Sequence, residues 1–292
     1  MSTDKETLVV LQKIAASLQE HFPVRASVPD LYAAPAFRWL VRRGAGRLEP
    51  VTQLASLSLD DLLSIDRQKN EVLRNTQQFL QGLPANNVLM TGARGTGKSS
   101  LMRALLNRYA ADGLRIIEVQ RDHLVDLPDI LDAIRSDTRY AALRFIIFCD
   151  DLTFADEEPA YKALKTALDG SLASPDNNVL IYATSNRRHL LPEYMQDNVS
   201  SQMVEGELHP SEAIEEKISL SERFGLWLAF YPFTQDEYLA AVAHWLNQYG
   251  VAVTDAINID ACAFATQRGS RSGRVAAQFA RDTAGRLQLG ER

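Results

Sequence analysis

The sequence predicts an α/β protein whose parallel sheet is sandwiched by helices, and three observations carry that prediction. Short apolar runs alternate with helical patterns between Val88 and Pro232. The runs are nearly continuous in apolar residues, as expected of parallel strands buried on both faces. The first of them passes through a glycine-punctuated loop straight into helical spacing, which is the strand, loop and helix order of a βαβ unit.

Taken in order, residues 1–56 read as an N-terminal helical region around a Pro- and Gly-containing segment. Arg38, Arg42, Arg43 and Arg47 cluster there in FRWLVRRGAGRLEP, where a solvated helix face is the simplest account. From Leu57 a helix of about four turns ends at Gly82 and Pro84, residues that stop helices and deliver the chain to a strand. Val88-Leu89-Met90 forms that strand, and Leu101, Leu105 and Leu106 mark the helix after the loop. Further strands are expected in LRIIEV (114–119), ALRFIIFCD (142–150), NNVLIYATSN (177–186) and GLWLAFYP (225–232). Residues 57–232 therefore make an α/β core. Past Pro232 the strands stop. Thr234, with Glu237 three residues on, opens a helix that closes at Gly250, and two more helical patterns complete an all-helical C-terminal subdomain, 233–292.

Bulk properties narrow the classes. The chain has 292 residues, of which 46% are hydrophobic, enough for a sizeable core. Its longest apolar runs fall far short of the roughly 18 residues of a membrane span, so no membrane partner is expected. The N-terminus lacks the basic end and apolar block of a secretory signal, which points to the cytoplasm. Cys149 and Cys262 sit in apolar patterns and form no metal-spaced set. A net charge of −6 argues against a surface that is wholly a nucleic-acid footprint. The five histidines show no paired ligand spacing, and Trp39, Trp227 and Trp245 read as core.

The chemistry concentrates in NNVLMTGARGTGKSS. The run Gly92, Ala93, Arg94, Gly95, Thr96, Gly97, Lys98, Ser99, Ser100 has the spacing of a phosphate cradle. Its glycines let backbone N–H groups form a nest, Lys98 reaches the β/γ-phosphates, Ser99 ligates Mg²⁺, and the helix dipole adds to the anion site. A second feature is the strand RFIIFC followed by Asp150 and Asp151. Ligands of parallel sheets lie beyond the carboxyl ends of strands, so both acids belong near the cradle. There Asp150 would hold Mg²⁺ and Asp151 would orient or deprotonate an attacking water. Asn186 ends the strand VLIYATSN and could hold that water or the γ-phosphate; taken alone, a simple strand end is the better account.

Lys98, the Asp150–Asp151 pair and Asn186 lie in the order of Walker A, Walker B and sensor 1, and the chain resembles the AAA+ ATPases in this respect. Its helical tail is similar to their C-terminal lid. SLSERFG (219–225) resembles the arginine-finger motif with Arg223 in the finger position, and GSRSGRVAAQFA resembles sensor 2, with Arg274 the better match and Arg271 the alternative. Over nearly its whole length the chain resembles the bacterial ATP-binding family known as domain of unknown function 815, near the replication-initiator and helicase-loader branch. The resemblance implies ATP and Mg²⁺ as cofactors, a nucleotide-dependent homo-oligomer, and remodelling or loading of a protein or nucleic-acid partner. It also implies adenine contacts from Leu62, Leu63 and Ile65, residues that could equally seal the core. One departure is that the Walker B pair ends in Asp151, a methylene shorter than the usual Glu. An acidic stretch between Pro192 and Ser219 reads as a solvated loop.

Overall fold

The computed structural model describes residues 28–42, 44–135, 137–153, 159–169, 178–186, 202–204, 207–209 and 220–290. Seven strands form one sheet. They are β1 (Ala36–Arg42), β2 (Ala45–Pro50), β3 (Val88–Gly92), β4 (Leu114–Glu118), β5 (Arg144–Cys149), β6 (Val179–Ser185) and, after two short strands, β9 (Leu226–Phe230). Their order is β2-β1-β4-β5-β6-β3-β9, parallel throughout except for β2. The predicted core strands are all present, and β3, the strand before the cradle, lies inside the sheet between β6 and β9.

Period-2 alternation divides each strand between two apolar layers. Val88, Met90, Ile146, Phe148 and Tyr182 face one side, where they meet α1 (Asp66–Leu80), α2 (Lys98–Tyr109) and the C-terminal helices. Leu89, Phe145, Ile147, Cys149, Ile181 and Ala183 face the other, against α3 (Leu127–Arg135) and α4 (Pro159–Asp169). Cys149 is thus enclosed, and burial pushes its thiol up to about 12, which leaves it inert as a nucleophile.

The N-terminal expectation needs correction. Within residues 1–56, positions 36–50 are an antiparallel hairpin, β1 with β2, in a register running from Phe37↔Pro50 to Arg42↔Ala45. Phe37, Trp39 and Leu48 are buried in the second layer, and Trp39 Nε1 donates to Asp126 Oδ2 at 2.9 Å. Arg38, Arg42 and Arg47 therefore ride on strands at one side of the sheet: Arg38 pairs with Glu118 at 3.1 Å and Arg47 with Glu49 at 2.9 Å. The sequence carried the signal, since Phe37, Trp39 and Val41 alternate at period 2. Residues 1–27 lie outside the described residues.

From β2 the chain crosses α2, where Asn107 Nδ2 donates to the carbonyls of Ala55 at 3.0 Å and Leu57 at 2.9 Å. It then makes a short 3-10 turn, Leu59–Asp61, whose capping box with Ser58 was not foreseen. A buried polar knot ties α1 to the sheet: Asn75 Nδ2 donates to Tyr182 Oη at 2.9 Å and to Asn86 O at 2.9 Å, and Thr76 Oγ1 lies 2.9 Å from the same phenol.

Past β9 come the expected helices, α5 (Gln235–Gln248), α6 (Asp255–Gln267) and α7 (Gly273–Gln288). The first keeps the predicted capping box of Thr234 and Glu237. Of the acidic stretch, 202–204 and 207–209 pair as a small antiparallel ladder, β7 and β8; the rest lies outside the described residues. No helix among the described residues is long and apolar enough to cross a membrane.

Candidate nucleotide-binding site

A cleft of about 920 Å³ opens beyond the carboxyl ends of β3, β5 and β6, between the core and the C-terminal helices. Arg94 through Ser100 line it, together with Asp150, Asp151, Asn186, Ile65 and Arg274. Gly92 and Ala93 lie behind, and their carbonyls accept from Lys98 Nζ at 2.7 and 2.8 Å.

The loop is shaped by its glycines. Gly92 has φ +129°, and a Cβ there would stand 1.9 Å from Phe230 O, so only glycine lets β3 leave the sheet this close to β9. Gly97, at φ +106°, caps α2 without a side chain, which leaves the first N–H groups of the helix facing the cleft. Its Cα also abuts Ile65, where a Cβ would come within 3.2 Å of the Ile65 side chain.

Around the loop the polar groups form one network. Ser99 Oγ donates to Asp150 Oδ1 at 2.7 Å, and Thr184 Oγ1 donates to the same oxygen at 2.6 Å. Thr184 Oγ1 in turn accepts from the amide of Asp151 at 2.8 Å. That bond holds Asp151 in the left-handed region, φ +54°, a conformation that Asp tolerates better than most residues. Asn186 bridges two groups: its Oδ1 accepts from Lys98 Nζ at 3.2 Å and its Nδ2 donates to Asp151 Oδ1. Arg94 approaches the other oxygen of Asp151 at 3.8 Å. Lys98 is 6% exposed, and burial lowers its pKa to about 8 despite the opposing pull of Asp150 and Asp151; Arg274 and Arg94 lower it further.

Helix α7 brings Arg274 to the cleft, and its amide donates to Gly95 O at 3.2 Å. Arg271 does not line the cleft; its carbonyl accepts from Phe233 N at 3.0 Å. Arg223 also stands away from the cleft, and its Nε pairs with Asp169 Oδ1 at 2.5 Å. Leu62, Leu63 and Ile65 also line the cleft, together with three residues that the sequence did not mark for it: Trp245, Gln248 and Tyr249 of the first C-terminal helix and its end. Trp245 is half-buried, packed against the core at the cleft, and Trp227 is 38% exposed on β9, so of the three Trp39 alone is fully enclosed.

These residues fit an Mg²⁺-nucleotide. The cradle accommodates no Cβ at Gly92, the helix end is bare, and the adjoining Ser99 and Asp150 offer the hard oxygens that Mg²⁺ takes. Among the described residues no cluster of three or more His, Cys, Asp or Glu could hold a metal by itself.

Residues 32–287 match the model of the family described as "Protein of unknown function (DUF815)". The chain belongs to the DUF815 family. Among curated protein sequences none matches it. Solved structures similar to this DUF815 chain include a Thermotoga maritima RuvB mutant, at 18% identity and a TM-score of 0.53, over 80% of this chain and 66% of that one. The Aeropyrum pernix ORC1 protein in complex with DNA gives 16% and 0.53, over 79% and 62%. The FIGL-1 AAA domain in complex with ADP gives 16% and 0.50, over 82% and 76%. The DUF815 chain thus spans just under two thirds of the RuvB chains' own length. Likeness of this degree establishes the fold, which is that of the AAA+ P-loop NTPases.

Proposed function

We propose that this protein binds ATP with Mg²⁺ in the cleft and hydrolyses it where two copies meet, using the change to remodel or load a protein or nucleic-acid partner. The observation that carries this reading is the convergence of Lys98, Ser99, Asp150, Asp151, Asn186 and Arg274 on one cleft from four separate elements. Bound Mg²⁺, held by Ser99 and Asp150, would neutralise phosphate charge. Lys98 meets the β/γ-phosphates, Asp151 takes a proton from water, Asn186 fixes that water's position, and Arg274 ties the C-terminal helices, acting as a lid, to the nucleotide.

Arg223 belongs to the neighbouring copy's reaction. Its side chain is 25% exposed and stands off its own cleft. As a surface ion pair with Asp169 it would contribute about 0–1 kcal/mol to stability and nothing to turnover. As a finger supplied in trans it would contribute roughly 10³–10⁵ in rate, or about 4–7 kcal/mol of barrier. The test mixes two inactive proteins, Arg223→Ala and Lys98→Ala, whose mixed interfaces pair an intact cradle with an intact arginine. Partial recovery of phosphate release is expected. Wild-type turnover by Arg223→Ala alone removes the finger.

A second reading, a nucleotide-gated binding module with little hydrolysis, is favoured by one observation: both oxygens of Asp151 already face partners, Asn186 and Arg94. Partner capture by Asp151→Asn in the presence of ATP, at the wild-type level, supports that reading.

A further inference from the structure

The apolar end of the cleft is built from a loop with an unusual internal support. Between the 3-10 turn and α1, residues Leu62 to Ile65 link the two elements, and Ser64 takes the left-handed conformation at φ +61°. A serine there is strained, and such strain persists only where the surroundings over-determine it. The surroundings are Lys69. From the second turn of α1 its ammonium, on a side chain 15% exposed, reaches back under the loop. Nζ donates to Leu62 O at 3.1 Å and Leu59 O at 3.3 Å, and it meets Asp66 Oδ1 at 3.0 Å. All three protons of the ammonium are therefore used, two of them on loop carbonyls. The backbone N–H and C=O of Leu63, between the held carbonyl and the strained serine, have no hydrogen-bond partner among the described residues.

We infer that Lys69 is a positioning residue for recognition of the nucleotide base: it holds the 59–65 loop so that Leu62, Leu63 and Ile65 present a formed apolar wall to the cleft. This rests on the ATP reading above and gives the base its own determinant, separate from the phosphate cradle. Lys69 does not line the cleft, so it acts through the loop and touches no phosphate. Charge-assisted bonds of this kind are individually strong, and without them the loop must be ordered by the ligand, at the ligand's expense.

The experiment measures binding of ATP and of inorganic tripolyphosphate, each with Mg²⁺, by calorimetry for wild type, Lys69→Met and Ser64→Val. Tripolyphosphate reports the cradle alone. Lys69→Met is expected to weaken ATP binding about tenfold or more, the loss of a charge-assisted bond, while tripolyphosphate affinity changes less than about twofold. Ser64→Val, a β-branched residue forced to positive φ, is expected to show the same split, and Lys69→Arg to recover part of the ATP affinity. Saturated turnover by Lys69→Met should stay near wild type, so that KM moves and kcat does not. Equal losses for both ligands, or an unchanged ATP affinity with intact thermal unfolding, overturn the inference. A wild-type protein that binds tripolyphosphate but prefers ATP no better overturns it while sparing the cradle; one that binds neither ligand overturns the ATP reading itself.

Discussion

Lys98 carries its charge in a poorly hydrated place, with two main-chain carbonyls and one amide oxygen as its company. Its folded pKa, about 8, lies below the usual 10.5, so the buried charge costs stability while both states are protonated, and that cost fades as pH rises from about 8 toward 10.5. A bound phosphate reverses the preference by favouring the ammonium. ATP binding near pH 8 should therefore take up protons, seen as a dependence of calorimetric heat on buffer ionisation, and affinity should fall by up to about tenfold per pH unit above 8. Lys98→Ala should lose tight ATP binding altogether, and equal affinity in that variant would remove the cradle. Asp151→Asn separates binding from chemistry: with Asp150 intact, ATP should bind near normally and turn over at least about a hundredfold more slowly, a typical loss for a general base. Steady-state phosphate release against calorimetric affinity reads both quantities.

At the scale of elements, the hairpin and the polar knot are where stability concentrates. Trp39→Ala empties a fully enclosed site and orphans Asp126 of its indole partner, and should cost about 3–5 kcal/mol, read as a lower denaturant midpoint. Tyr182→Phe leaves Asn75 and Thr76 short of a buried partner and should cost about 1–3 kcal/mol. These two features also mark the limit of what the sequence made legible. The cradle, the Asp pair and the buried strands were readable because each is a local spacing with its own chemistry. The hairpin was legible only in part: Phe37, Trp39 and Val41 alternate, but the run is short and rich in arginine, and its place in the sheet is set by pairing with β4 as well as β2, a long-range matter. In the same way Trp245, Gln248 and Tyr249 enter the cleft only because α5 docks over the 59–65 loop, where His244 Nε2 lies 3.0 Å from Asp61 Oδ1. Helical periodicity shows that α5 has an apolar face and says nothing about what that face meets.

Across the whole molecule, a chain of net charge −6 turns a set of cations, Arg94, Lys98, Arg103, Arg274 and Arg281, toward a single cleft. Such a field draws anions to the cleft and leaves the remaining surface acidic. If turnover needs a neighbour's Arg223, phosphate release per protein should rise with protein concentration and flatten once copies are assembled; a rate per protein that is constant over a hundredfold dilution would place the whole reaction in one chain. The close passage of Gly92 beside Phe230 bears on how the molecule is made. Synthesis delivers the cradle early, yet β3 finds its two neighbours only when Val179–Ser185 and then Leu226–Phe230 have been added. Until then the loop has no sheet to leave and no carbonyl wall to lean on, and pairings this distant in the chain form late. On the ATP reading proposed above, a growing or truncated chain should be blind to nucleotide, and ATP should stabilise finished copies alone, acting as an inspector of completed synthesis.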